Sequence, residues 1–148
     1  MQPIVKPETA QTPPARGFDW PVRVYWEDTD AGGIVFYANY LKFFERARAE
    51  WLRSLGIGQQ DLRERTGGIF IVSETNVRYH RPARLDDELL VTARIESAGR
   101  ASILLAQQAL RATDRALLAE GAIRIGWVDA ATLRPARIPA NLLEALKP

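Results

Sequence analysis

The sequence predicts an α+β fold, an antiparallel sheet wrapped around one long helix. Three observations lead there. A strand-like segment precedes a single long stretch with helical apolar spacing, and four more strand-length segments follow it. Two of the turns between those segments are of hairpin length, which pairs neighbouring strands antiparallel. One helix set against such a sheet defines the α+β class.

The elements follow in chain order. Residues 1–17 are rich in Pro, Thr and Gln and read as a disordered arm, with residues 18–148 as a single domain. Trp20 to Trp26 alternates as a strand, with Pro21 near its start, where a missing N–H is tolerated. Gly32-Gly33 permits a sharp turn. The helix is predicted from Tyr37–Asn39 to Leu55, stopped by Gly56. Tyr40, Phe44, Ala47, Trp51 and Leu55 form its apolar stripe, and Arg46 and Glu50 stand at i,i+4 on a polar face. Such a helix runs about 28 Å, enough to cross the sheet. A shorter helix is predicted over Gln59–Thr66, ending at Gly67-Gly68.

The remaining strands are Ile69–Tyr79, Glu88–Glu96, Ala101–Ala112 and Ala116–Val128. Arg81 to Asp87 makes a longer connection, whereas Ser97-Ala98-Gly99-Arg100 and Thr113-Asp114-Arg115 read as tight hairpins. In the segment after Gly99, Leu104, Ala106 and Leu110 lie on one face and Ile103, Leu105 and Ala109 on the other. Both faces of the sheet are therefore at least partly covered. One helix covers only one face, so self-association is expected. A short helix over Pro139–Leu146 closes the chain.

Composition excludes several chemistries. The chain has no cysteine, which rules out disulfides, a thiol nucleophile and a zinc-thiolate site. Its single histidine, His80, rules out any triad or metal site needing two, and reads as a surface or interface residue. Net charge is +2, and basic residues are scattered among acids with no run of five, so no nucleic-acid footprint is seen. No apolar run approaches the roughly 18 residues of a membrane span. The first residues lack the apolar core of a signal peptide, so a cytoplasmic location is expected. Whatever chemistry occurs must rest on carboxylates, hydroxyls and backbone.

One stretch concentrates such groups. Glu27-Asp28-Thr29-Asp30-Ala31-Gly32-Gly33 sets three carboxylates and a Gly-Gly turn before the long helix. A carboxylate serves as base or nucleophile. Free N–H groups at a helix start polarise a carbonyl oxygen. Together they are two parts of an acyl-transfer site. Asp30 is the leading candidate; Glu27 and Asp28 read as solvent-facing or loop-organising, and Tyr40, Phe43 and Phe44 as core.

The run from Glu27 to Val35, with Tyr25, Asn39-Tyr40 and Phe44-Glu45-Arg46-Ala47-Arg48, resembles the hotdog-fold acyl-CoA thioesterases of the 4-hydroxybenzoyl-CoA thioesterase type. The Tol-Pal-associated bacterial branch is the most similar. Val77, Tyr79 and Pro82-Ala83-Arg84-Leu85-Asp86-Asp87 extend the resemblance, which covers roughly Asp19 to Pro139. It implies hydrolysis of an acyl-CoA thioester to a carboxylic acid and free CoA. It makes Asp30 the catalytic acid, as nucleophile or as general base. It puts the oxyanion-binding amide at the Tyr37 backbone N–H, a position where that branch often has histidine. It implies substrate contacts at Glu45 and, on the strands, at Ser73, with Arg100 and Arg124 near the CoA phosphates. No metal or redox cofactor is implied. The expected partners are acyl-CoA, or the same acyl group on an acyl carrier protein, and further copies of the chain, as a dimer or a dimer of dimers (a homotetramer). The alternative readings are a non-catalytic acyl-CoA or acyl-carrier binding module and a Tol-Pal-associated scaffold.

Overall fold

Alternating residues of the first strand, β1 (Phe18–Arg23), turn their side chains to opposite sides: Val22 is buried, Phe18 and Trp20 pack partly against the core, and Pro21 is exposed. The computed structural model describes residues 17–147. The arm expected over residues 1–17 lies outside these, Gly17 excepted.

β1 is shorter than its alternation predicts. Val24 still pairs with the chain opposite, its N–H donating to Asp87 C=O at 2.9 Å and its C=O accepting from Asp86 N–H at 3.0 Å. Beyond it, Trp26–Asp28 folds into a 3-10 turn, because the Asp28 carboxylate captures the Tyr25 N–H at 2.8 Å. A second 3-10 turn, Tyr37–Asn39, leads into helix α1 (Tyr40–Ser54). Its buried residues are Tyr40, Phe43, Phe44, Ala47, Trp51 and Leu52. Leu55, expected on this stripe, is instead 43% exposed, because the helix ends at Ser54 and the chain turns away through Gly56 at φ +82°. Nor does Glu50 meet Arg46: it takes Arg53 one turn on, at 2.6 Å, while the Arg46 guanidinium lies over the Phe43 ring, 5.9 Å from its centroid.

Helix α2 (Gln59–Thr66) ends at Gly67, whose φ of +76° is the left-handed cap a glycine adopts without penalty. There follow β2 (Gly68–Tyr79), β3 (Glu88–Ala98), β4 (Ser102–Arg111), β5 (Leu117–Asp129) and helix α3 (Ala140–Leu146). All neighbouring strands pair antiparallel in the order β1-β3-β4-β5-β2. β2 therefore pairs with β5 and not with β3, the next strand in sequence. The connection over residues 80–87 must carry the chain from one edge of the sheet to the far side of β4, and that route brings it against the loop after β1.

Helix α1 packs on β1, β3 and β4. Phe43, Phe44, Leu89, Ile103, Leu105 and Ile123 are completely buried between helix and sheet. Gly121 of β5 makes room for the helix: a Cβ there would lie 3.3 Å from the Phe44 ring. The opposite face of the sheet carries Thr92, Arg94, Gln108 and Glu120, each half-buried. No helix among the described residues is long and apolar enough to cross a membrane.

Candidate functional site

Asp30 opens a tight reversal. Its N–H donates to Ile34 C=O at 2.9 Å, its own C=O accepts from Gly33 N–H at 3.0 Å, and Thr29 bridges to Val35. The turn needs Gly33, at φ +79°. Inside it the Asp30 carboxylate folds back so that Oδ1 accepts the Gly32 N–H at 2.8 Å. Gly32 leaves room for this, since a Cβ there would stand 3.3 Å from Oδ1. Oδ2 has no protein partner among the described residues, and the side chain is exposed.

The reversal is clasped from behind by the connection between β2 and β3. Ile34 bridges to Arg84, Val35 N–H donates to Ala83 C=O at 2.9 Å, and Leu85 N–H donates to Gly33 C=O at 3.3 Å. The Tyr40 hydroxyl accepts the Ala83 N–H at 3.2 Å; burial pushes this phenol above its ordinary pKa. The Pro82–Asp87 stretch, far from Asp30 in sequence, is thus the other wall of the same loop.

The helix start completes the arrangement. Phe36 N–H is taken by Asp28 C=O at 2.9 Å, and Asn39 N–H by Phe36 C=O at 2.8 Å. Between them, the Tyr37 and Ala38 N–H groups have no acceptor among the described residues. These are the unsatisfied donors that a helix N-terminus offers, reinforced by the helix dipole. Asp28, only 4% exposed, locks the geometry: Oδ2 accepts Tyr25 N–H and Oδ1 accepts Asn39 Nδ2 at 2.9 Å. The chain therefore brings Asp30 and the Tyr37 amide into one loop–helix unit, in which Asp30 Oδ2 and the Tyr37 and Ala38 amides have no partner among the described residues.

The other predicted residues lie elsewhere. Glu45, exposed on α1, borders a cavity of about 160 Å³ whose walls include Arg48, Trp51, Phe70 and Val72. Arg48 donates to Gln107 Oε1 at 2.9 Å. Burial lowers its guanidinium pKa, and Glu45 nearby opposes that shift. Ser73 sits in a bulge of β2, its hydroxyl 3.4 Å from Arg124 C=O. Arg124 reaches Ser102 Oγ at 3.3 Å and lies 3.7 Å from Glu74. Arg100 is exposed in the β3–β4 hairpin. Ser73 and Arg124 are thus adjacent, but neither they nor Arg100 touch the Asp30 loop. His80 is exposed and meets Glu120 at 2.8 Å.

Sequence reasoning assigned no part to Asn39, Gln107 or the Tyr79 hydroxyl. Gln107 was detectable as a lone amide among the inward residues Ile103, Leu105 and Ala109; it is fully buried, and its Nε2 donates to Phe44 C=O and Thr92 C=O.

Comparison with known proteins agrees with this architecture. A family model described as the thioesterase-like superfamily matches residues 24–146. The acyl-CoA thioesterase YbgC of Haemophilus influenzae is 41% identical over 129 residues, covering 87% of this chain and 93% of that protein. A probable thioesterase from Bartonella henselae superposes with a TM-score of 0.77 at 31% identity, covering 83% of this chain and 99% of the other. A 4-hydroxybenzoyl-CoA thioesterase solved with 4-hydroxybenzoyl-CoA shares the fold, with a TM-score of 0.83 at 21% identity over 90% of this chain and all of that one. The protein is a member of the thioesterase-like superfamily and has its hotdog fold.

Proposed function

We propose that this protein is an acyl-CoA thioesterase that hydrolyses the thioester to a carboxylic acid and free CoA, with Asp30 and the Tyr37 amide as its reacting centre. The reading rests on one observation above the others: Asp30 Oδ2 and the Tyr37 N–H both lack a partner among the described residues and belong to one hydrogen-bonded loop–helix unit. The curated relatives named as acyl-CoA thioesterases supply the substrate class.

In this mechanism the thioester carbonyl oxygen points at the Tyr37 N–H. Asp30 Oδ2 either attacks the carbonyl carbon, expelling CoA thiolate and leaving a mixed anhydride that water hydrolyses, or removes a proton from the water that attacks. In both routes the negative charge that develops on the carbonyl oxygen meets the amide and the positive end of α1. The donor is backbone, so tyrosine serves at this position as well as histidine would. Glu45 and Ser73 are assigned to the acyl side and Arg100 and Arg124 to the CoA phosphates. Water is the co-substrate, and no metal or redox cofactor takes part. Activity retained in the presence of a chelator tests that last point.

The same reading includes a homo-oligomer in the cytoplasm. Among the described residues β2 is a sheet edge of twelve residues with Ile71 and Val72 exposed, the kind of edge that a second copy extends. An acyl carrier protein as donor and a place beside the Tol-Pal system rest on the family resemblance, and co-purification with each tests them. The function itself is tested by thiol release from short, long and aromatic acyl-CoAs. Turnover of at least one supports it, and turnover of none rejects it.

A further inference from the structure

The Tyr37 carbonyl is held by a residue distant in sequence. Tyr79, the last residue of β2, donates its hydroxyl to Tyr37 C=O at 2.9 Å. Its ring meets Tyr37 edge-on with centroids 6.3 Å apart, and Tyr40 with centroids 5.6 Å apart. The two ends of this contact differ in character. Tyr79 belongs to a strand laddered to β5, in register with Ala119. Tyr37 begins a 3-10 turn and is 64% exposed.

Solvation alone does not account for the bond. Tyr79 is 45% exposed, so water would satisfy its hydroxyl equally well. The other tethers of the segment act on its flanks: Asp28 holds Phe36 and Asn39, and the Tyr40 hydroxyl holds Ala83. Among the described residues, the Tyr79 hydroxyl makes the one side-chain hydrogen bond that reaches Tyr37 itself. A displacement of about 1 Å at a reacting centre costs up to about 100-fold in rate, so a hydrogen bond that fixes the Tyr37 carbonyl, one Cα away from the N–H of the same residue, bears on catalysis.

We propose that Tyr79 is a positioning residue, whose hydroxyl anchors the Tyr37 carbonyl to the sheet edge and, through the Tyr37 Cα that joins the two peptide units, keeps the free N–H of that residue aimed at the thioester oxygen. This rests on the acyl-CoA hydrolase reading above. Tyr79 itself touches no reacting atom; it acts through Tyr37.

The test is Tyr79→Phe in the full-length chain, which keeps the ring and removes only the hydroxyl. Two probes carry the acyl chain that wild type turns over fastest: a ketone with methylene in place of the thioester sulfur, and a thioether of CoA that lacks the carbonyl. The proposal expects kcat to fall about 10-fold, with KM changed less than about two-fold. It also expects the ketone to bind more weakly to the variant and the thioether to bind as it does to wild type, at unchanged oligomeric state. Unchanged kcat overturns the proposal. So does equal weakening of both probes, which is what a merely structural tyrosine would give. A wild-type protein that turns over no acyl-CoA overturns the hydrolase reading, and the proposal with it. Turnover by wild type with a Tyr79→Phe variant that matches it overturns the role of Tyr79 alone.

Discussion

Asp28 Oδ1 accepts a hydrogen bond from Asn39 Nδ2 at 2.9 Å, and both residues are buried. Eleven positions apart in sequence, they join the turn that ends the first strand segment to the residue that precedes α1. Everything between them, including Asp30 and the Gly-Gly turn, is a loop closed at its base by this bond. Asp28→Ala leaves Tyr25 N–H and Asn39 Nδ2 without acceptors. An unpaired buried group costs about 1–3 kcal/mol, so urea unfolding of this variant is expected to show a stability loss of about 2 kcal/mol.

The two glycines of the loop have separable roles. Gly33 sits at φ +79° with open space around it, so Gly33→Ala pays only the left-handed backbone penalty, about 1–2 kcal/mol in unfolding measurements. Gly32 has ordinary backbone but stands against the Asp30 carboxylate. Gly32→Ala is expected to shift that carboxylate and lower kcat by about 10-fold, with stability within about 0.5 kcal/mol of wild type.

Gln107 ties three elements together, taking Arg48 of α1 on its oxygen and giving its nitrogen to Phe44 C=O and Thr92 C=O. The β3–β4 ladder is irregular there, and Thr92 Oγ1 accepts Gln108 N–H at 2.9 Å in place of a strand bond. Gln107→Leu fits the volume but strands these partners. A loss of about 2–3 kcal/mol in chemical denaturation is expected.

Asp129 gives a pH signature. Its Oδ1 accepts Ala131 N–H and Thr132 N–H, each at 2.9 Å. Those backbone donors hold its carboxyl below the usual range. A depressed carboxylate pKa adds stability that is fully present above the unfolded value, about 3.9, and is lost as pH falls through the lower folded value. Asp129→Asn is therefore expected to flatten the decline in thermal midpoint below about pH 4 and to leave the midpoint's slope near neutrality unchanged.

Much of this molecule was legible in its residues. Helix, strand and hairpin positions follow from apolar period and turn chemistry; α2 falls where Gln59–Thr66 predicted it, and β2 to β5 begin within one residue of their expected starts. What escaped was decided by contacts distant in sequence. The expected strand through Trp26 gives way to a turn because the Asp28 side chain competes for the Tyr25 N–H. Leu55 leaves the apolar stripe because the helix stops one residue earlier. At the site, Asp30 stood out through its Gly-Gly neighbours, whereas the clasp by Ala83 and Leu85 depends on β2 pairing with β5, a topology no local pattern encodes. Tyr79 and Tyr37 are 42 positions apart and meet only once that topology is in place.

In the proposed mechanism Asp30 carries the chemistry. The most direct test compares thiol release from the best acyl-CoA substrate by wild type and by Asp30→Asn, at matched folding and oligomeric state. The replacement keeps the shape and the Oδ1 contact with Gly32 while removing the charge. A fall in kcat of at least about 100-fold is predicted. Turnover by Asp30→Asn equal to that of wild type would rule out Asp30 as the reacting group and move the reacting centre elsewhere in the fold.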